Sequence, residues 1–522
     1  MPSEATLLYP GGAFLSQTPD RIFTVEDFSS DEKMMISAAE QFSRNEVMTV
    51  LDRLDAQEEG LSPALIRKAG ELGLCGVDTA EEYGGLGLGK NLAARILEYM
   101  SLNGSFSVTY GITSGISQLG LTLFGTQEQK SHYLPLLTSG EWIGAYALSE
   151  PNSGSDALSA TTRAELRNGK WVLNGTKMWI SNAKWADLFV VLAKVDGEAF
   201  SAFLVERDHP GVTIAREEHK LGLKGSSTAR LVLEDAEIPE SNLLHEVGKG
   251  HQVAFNALNI GRFKLSSMSL GPARDAMGHA SAYANDRRQF GQPIANFGLV
   301  QKKFAEMAAR FYAAESVIYR TGALIDEAFG LFAGSVEGNR RAAEEFALEC
   351  SGGKVLSTEA EAFIIVECLQ VCGGSGSAEE FPIARHYRDA RVSRIYEGTN
   401  EINRIFLADR FRKRGVSLAA SGDSFISEVT GRAMRIDTKD QVTVGAQSDL
   451  LLLAYAEQSA RLRSKQVADK YQNAYAIFVN WANAEAARAF QTATGEAVAL
   501  PAPEQSDIEA LAEQVYRSGG PV

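Results

Sequence analysis

The period of the hydrophobic pattern changes twice along this chain, and that limits the folds open to it. From about Ser30 to Ala145 apolar residues recur at three-to-four spacing. "SSDEKMMISAAEQFSRNEV" opens with serines and acids before its apolar positions, as a helix start does. Between about 146 and 245 the pattern turns β-like. "LFVVLAKV", "FSAFLVER" and "ARLVLEDAEIP" read as strands, and Asn174-Gly175 in "KWVLNGTKMWIS" predicts a hairpin. After "HEVGKG" the chain is helical again to about Arg414, rich in alanine, glutamate and leucine and nearly free of proline. "GVSLAASGDS" then reads as a linker. A last helical segment runs from about 422 to 515, with Tyr471, Tyr475, Phe478 and Trp481 on one face. The expected class is α+β, mainly α: helical, β, helical, with a helical tail.

The 522 residues are enough for about two to four domains. Lys plus Arg is 51 against 66 Asp plus Glu, a formal charge of -15, which argues against nucleic acid as a partner. Four cysteines with no CxxC form no disulfide framework, and Cys368 and Cys372 read as buried apolar residues. Seven scattered histidines without HExxH spacing predict no metal site. "MPSEATLLYPGGAF" has neither the basic and apolar regions of a secretion signal nor an arginine-rich transit pattern. No apolar run approaches the roughly 20 residues of a spanning helix. A cytoplasmic, bacterial-type protein is expected.

Five stretches could carry chemistry. "AYALSEPNSGSD" (145–156) ends an apolar run in small and hydroxylated residues suited to a phosphate or a heterocycle edge, or to a polar surface loop. "KMWISNA" (177–183) could set a tryptophan beside an aromatic cofactor, or in a hairpin core. "NDRRQFGQPI" (285–294) could grip a pyrophosphate through its arginines, or end a solvated helix. "LQVCGGSGS" (369–377) offers bare backbone N–H groups, or a helix C-cap. "RIYEGTNEI" (394–402) places Glu397 between a tyrosine and a glycine. Ile395 and Tyr396 would keep water away, and burial strengthens a carboxylate as a base. "AEEYGGLGLGK" (80–90) lacks GxGxxG spacing, and no GxSxG elbow occurs.

In this order the stretches resemble the acyl-CoA dehydrogenase family. "ALSEPNSGSD" is similar to its first signature and "RDARVSRIYEGTNEINR" to its second. "YGGLGLG", "KMWISN", "KLGLKGSSTARLVLEDAEIPESNLL", "NIGRF", "DRRQFGQPIANFGLVQ" and "LQVCGGSG" extend the resemblance over roughly residues 30 to 415. The tail, with "GRF" and "NFGLVQ", resembles the very-long-chain branch. The family implies an irregular segment (1–29), an N-terminal helical domain (30–145), a middle β-barrel-like domain (146–250), a C-terminal four-helix bundle (251–415) and, here, a linker with an extra helical domain (416–522).

The resemblance also implies FAD as cofactor and fatty acyl-CoA, long-chain by branch, as substrate. Glu397 would be the base that removes the α-proton while a hydride leaves for flavin N5. Tyr146, Leu148, Ser149 and Ser155 would lie along the flavin, with Trp179, Ile180 and Ser181 flanking its ring. Arg287, Gln289, Phe290, Gln370, Gly373 and Gly374 would hold the FAD tail across a homodimer, and Thr399 and Glu401 would contact the same cofactor. Ser155, Leu258, Asn259, Arg262, Tyr396 and Gly398 would contact substrate. Gly261 closes the position at which some relatives carry the base. Ser377 stands where an aromatic is usual, and His245 where a glycine is common. Electrons would pass to electron transfer flavoprotein. An acyl-CoA oxidase-like enzyme using oxygen and a FAD-bearing assembly scaffold are the competing readings. The tail could pack on the subunit or, through Leu450–Leu453 with Arg461, Arg463, Lys465 and Lys470, meet a membrane surface.

Overall fold

The computed structural model describes residues 6–416, 424–467 and 470–522, and the order helical, β, helical holds among them. Most of the expected linker lies outside the described residues. The chain forms two compact units. One holds Ser30–Lys264 with Phe332–Glu344; the other holds the chain up to Ser29, Leu265–Leu331 and the chain from Glu345 onward.

The first unit begins with seven helices, α1 (Ser30–Phe42), α2 (Leu51–Asp55), α3 (Leu61–Glu71), α4 (Lys90–Met100), α5 (Gly104–Gly111), α6 (Ser117–Phe124) and α7 (Gln127–Thr138). α4 is buried at nearly every position. The Asp78 carboxylate takes the ammonium groups of Lys90 at 3.2 Å and Lys264 at 3.0 Å, so the charges brought inside are paired.

Eight strands follow: β1 (Gly144–Ala147), β2 (Arg163–Arg167), β3 (Lys170–Ser181), β4 (Leu188–Val195), β5 (Ala199–Glu206), β6 (Val212–Glu217), β7 (Thr228–Pro239) and β8 (Leu243–Leu244). Their order is β6-β7-β3-β2-β4-β5-β8, with β1 beside β4. The sheet is open, so the expected barrel-like middle domain is wrong. Closure requires the end strands to pair. Here β6 pairs only with β7, β8 only with β5, and β2 meets β4 through just Arg163–Lys194 and Ala164–Val195. The edges are managed by other means: β8 is two residues long, and β6 carries Arg216 and Glu217.

The hairpin expected at Asn174-Gly175 is also absent, because β3 runs straight through those residues. A Cβ on Gly175 would fall 2.8 Å from Thr162 Cα, and the Asn174 amide pairs with Asp235 across β7. Glycine there admits a close approach and a register shift. The turn is at another Asn-Gly pair, Asn168 (φ +50°) and Gly169 (φ +75°), between β2 and β3. His245, where glycine is common in relatives, keeps a glycine-like φ of +72° with its ring against Phe124.

α8 (Gly250–Asp286) crosses the division between the units. A two-strand ribbon, β9 (Arg288–Gln289) and β10 (Gln292–Pro293), leads to α9 (Gly298–Phe332), α10 (Val336–Glu345), α11 (Ala347–Cys372), α12 (Pro382–Ala390) and α13 (Asn400–Arg414). The tail adds α14 (Phe425–Ala433), α15 (Gln441–Gln466), α16 (Gln472–Thr494) and α17 (Ile508–Ser518). Among the described residues no helix is long and apolar enough to cross a membrane.

Of the tail residues that suggested membrane docking, Leu450–Leu453 and Arg463 are turned inward, whereas Lys465 and Lys470 are exposed. Leu450–Leu453 are all buried, and Arg461 pairs with Glu457. Arg463 is fully buried, 2.8 Å from both Glu315 and Glu26, with its guanidinium over the rings of Tyr312 and Tyr471. Gln458 and Gln466 donate to backbone carbonyls of Phe14, Gln17 and Ile22. The N-terminal segment is thereby sewn to α15. Removing one partner of a buried charge network strands the others, at about 3 kcal/mol or more. Arg463→Met is therefore expected to lower the unfolding free energy by that amount, read as a lower urea midpoint by far-UV circular dichroism. A wild-type midpoint would show that the network contributes nothing.

Candidate active site

Glu397 lies between a 3₁₀ turn (Arg391–Arg394) and the start of α13. Its φ is +58° and that of Gly398 is +82°. Glycine adopts this region freely. A non-glycine residue is held there at roughly 1–2 kcal/mol, so the surroundings must enforce it. They do so through buried side chains from two helices. Asn403 on α13 donates to the carbonyls of Glu397 (3.4 Å), Gly398 (2.8 Å) and Thr399 (3.1 Å). Lys354 on α11 donates to the Gly398 carbonyl at 3.0 Å and to Asn400 Oδ1 at 2.8 Å. Lys354 and Asn403 have no exposed surface. Thr399 caps α13, its hydroxyl accepting from Ile402 N at 3.3 Å.

Glu397 is half-buried, with its Oε2 shut off from water. Burial pushes the Tyr396 phenol far up, and the charges of Glu361, Glu397 and Asp389 push the same way, so it stays neutral. Ile395 is 50% exposed, which corrects the expectation that it helps dry the site. Glu401 is exposed in the first turn of α13, where backbone donors hold its carboxyl below the usual range.

In the other unit, the stretch after β1 is tied to β3. Met178 N donates to the Ser149 carbonyl at 2.9 Å, and the fully buried Lys177 donates to the Leu148 carbonyl (3.1 Å) and Glu150 (2.8 Å). Glu150 also accepts from Thr161 and Thr162 N–H groups. Burial works against its ionised form, but Lys177 and these donors outweigh it and hold the carboxyl down at about 2. Leu148 and Ser149 are half-buried, as is Tyr146; Ser155 is exposed, beside a Gly154 with open space around it.

Trp179 sits in a bulge where the β3–β7 register shifts between Lys177 and Ile180, with φ +62° and the residue 56% exposed. A bulge re-aims a side chain, and strain in a large residue points to a function. The hairpin-core alternative fails for Trp179 but fits Ile180, which is 1% exposed. Ser181 is half-buried.

Leu258 and Arg262 are one helical turn apart on α8, and Arg262 donates to Asn259 Oδ1 at 3.3 Å. Arg287, Gln289 and Phe290 project on the exposed ribbon, Phe290 being 95% exposed with φ +50°. Gln370, Gly373 and Gly374 are exposed at the end of α11. Added Cβ atoms on the two glycines would meet nothing, so the φ of +57° and ψ of -139° at Gly373, not crowding, call for glycine.

Sequence reasoning missed Lys354, Asn400 and Asn403, as well as Lys177 and Glu150. The signal for Lys354 was available, as a lone lysine in the apolar run "ECSGGKVLS".

One unit thus carries an outward tryptophan beside a hydroxyl-lined loop, and the other a strained glutamate on a helix-held turn, on a helical–β–helical chain. Acyl-CoA dehydrogenase N-terminal, middle and C-terminal domain models match residues 29–141, 145–236 and 248–411. The chain belongs to the acyl-CoA dehydrogenase family. A probable acyl-CoA dehydrogenase of Bacillus subtilis is 47% identical over 424 residues, 80% of this chain and 71% of that one. The human mitochondrial short-chain specific acyl-CoA dehydrogenase is 37% identical over 393 residues, 74% of this chain and 91% of that one. A crystal structure of an acyl-CoA dehydrogenase from Bacillus anthracis complexed with FAD superposes with a TM-score of 0.89 at 38% identity, covering 98% of this chain and all of that one.

Asn403→Ala would leave the Glu397 and Thr399 carbonyls without their side-chain donor and the Gly398 carbonyl with Lys354 alone. The variant should lose about 2 kcal/mol in denaturation, the order expected for buried groups left unsatisfied. No loss would mean that the strained turn holds itself.

Proposed function

We propose that this chain removes the α-proton of an acyl-CoA thioester with Glu397 as base, in the α,β-dehydrogenation that yields a trans-2-enoyl-CoA. The chain is an acyl-CoA dehydrogenase, an oxidoreductase acting on CH–CH groups, and FAD is its cofactor. The observation that carries the assignment is Glu397 locked in a left-handed turn with an oxygen closed to water. A carboxylate so placed is oriented before substrate arrives and poorly hydrated, which raises its strength as a base.

The residues fit FAD. Trp179 and Ile180 offer a flank for the flavin ring, and the Ser149, Ser155 and Ser181 hydroxyls offer donors beside Tyr146 and Leu148. FAD held there would supply the acceptor for the β-hydride, while Glu397 takes the α-proton, so that the two hydrogens and two electrons lost by the acyl chain are accounted for. Tyr396, held neutral, adds no second charge beside the base, and Gly398 leaves room for the thioester. Ser155, Leu258, Asn259 and Arg262 are the groups proposed to hold the CoA portion, with Thr399 and Glu401 on the cofactor.

A neighbouring subunit would cover the exposed Arg287, Gln289, Phe290, Gln370, Gly373 and Gly374, which supports a homodimer sharing each FAD tail. Electrons would leave to electron transfer flavoprotein. A preference for long acyl chains is proposed on the tail domain, which the full-length Bacillus anthracis superposition includes.

Glu397→Gln should retain FAD, yet its flavin should be reduced by acyl-CoA at least about a hundredfold more slowly in anaerobic stopped flow. In wild type the same readout should favour long over short acyl chains. Wild-type bleaching by the variant would remove Glu397 as base, and a short-chain optimum would remove the long-chain reading. Phe290→Glu should sediment as a monomer and lose FAD; a FAD-loaded dimer would contradict the shared cofactor site.

A further inference from the structure

A continuous run of side-chain hydrogen bonds joins the tail to the turn that carries Glu397. On α15, Asp449 Oδ1 accepts from Arg404 Nε at 2.7 Å. Arg404, on α13, also forks onto Glu359 of α11, with Nη1 to Oε1 at 2.8 Å and Nη2 to Oε2 at 3.0 Å. Glu359 Oε1 accepts again from Asn400 Nδ2 at 3.1 Å, and Asn400 Oδ1 accepts from Lys354 Nζ at 2.8 Å. Lys354 ends the run on the Gly398 carbonyl, next to Glu397.

Each link sets the direction of the next. A carboxylate only accepts and an ammonium only donates, so Glu359 on one side and Lys354 on the other fix which way the Asn400 amide faces. Asn400 and Lys354 are buried, and water is a poor substitute for either partner. Glu359 is held in turn because Arg404 takes both of its oxygens, and Arg404 is held at its third nitrogen by Asp449. A planar guanidinium can grip two carboxylates at fixed angles, which an ammonium cannot do.

The outer links lie nearer to solvent. The side chains of Arg404, Glu359 and Asp449 are 22%, 40% and 38% exposed, and all three line a cavity of about 510 Å³ among α9, α11, α13, α15 and α16. Ion pairs so exposed add little to folding. What a forked contact supplies is orientation. We propose that Asp449, Arg404 and Glu359 are positioning residues through which the tail steadies the catalytic turn: α15 fixes Arg404, Arg404 fixes Glu359, and Glu359 fixes the Asn400–Lys354 pair that holds Gly398. The inference rests on Glu397 being the base.

The test uses the full-length, FAD-loaded enzyme. Arg404→Lys keeps the charge but loses the fork, and Asp449→Ala removes the tail's link; both changes face the cavity and leave the core packed. In anaerobic stopped flow the saturating rate of flavin reduction by acyl-CoA should fall roughly tenfold in Arg404→Lys and about threefold in Asp449→Ala, with the half-saturating acyl-CoA concentration unchanged. In an Asn400→Ala background, where the run is already cut, Asp449→Ala should slow the reaction no further; a full second loss means independent effects and overturns the proposal. A second readout does not depend on Glu397. Backbone amides of residues 396–402 should exchange with deuterium faster in Arg404→Lys and Asp449→Ala than in wild type. Wild-type exchange in both variants overturns the proposal whatever Glu397 does, and so does a wild-type reduction rate in both when Glu397→Gln is inactive. Faster exchange alongside a fully active Glu397→Gln removes the base and keeps the support from the tail.

Discussion

The structure turns on a carboxylate held in a backbone conformation that its residue type disfavours. Glu397 and Gly398 are both left-handed, and only the second is so without strain. Asn403 and Lys354 supply the compensation by satisfying the turn's carbonyls with buried donors. The geometry is held by donors on α11 and α13, so the orientation of Glu397 is linked to helix packing through the buried side chains of Lys354 and Asn403.

The β-containing unit uses the same kind of device. Trp179 is forced outward by a bulge in β3, and the paired charges of Lys177 and Glu150 fix the loop that carries Ser149. In both units a strained residue is backed by a buried lysine that donates to a neighbouring backbone carbonyl. Lysine suits this task because a long apolar stem can cross a core and deliver a charged donor at its far side.

What could be read in advance was whatever depends on neighbours in sequence. Helix and strand periods gave the helical, β, helical order, and the motif around Glu397 drew attention to a turn whose backbone is left-handed at Glu397 and Gly398. What failed depends on residues far apart. Asn174-Gly175 is flanked by better strand formers than Asn168-Gly169, yet the approach of Thr162 and the bond to Asp235 keep it extended. An open sheet and a closed one differ in whether two end strands meet, which no local pattern records. Leu450–Leu453 and Arg463 carry the composition of a membrane-facing helix, yet the leucines are buried and Arg463 pairs with Glu315 of α9 and Glu26 of the N-terminal segment. Ile395 beside Tyr396 has the right chemistry to exclude water and is nevertheless half-exposed.

If Glu397 is the base, its left-handed backbone aims the carboxylate at the thioester α-carbon. A crystal structure of the protein with FAD and an unreactive acyl-CoA thioester tests it most directly. A positive φ at residue 397 is expected, with a carboxylate oxygen about 3–3.5 Å from C2 of the acyl chain, near-attack distance for proton removal. A negative φ, or a carboxylate directed away from C2, would contradict it.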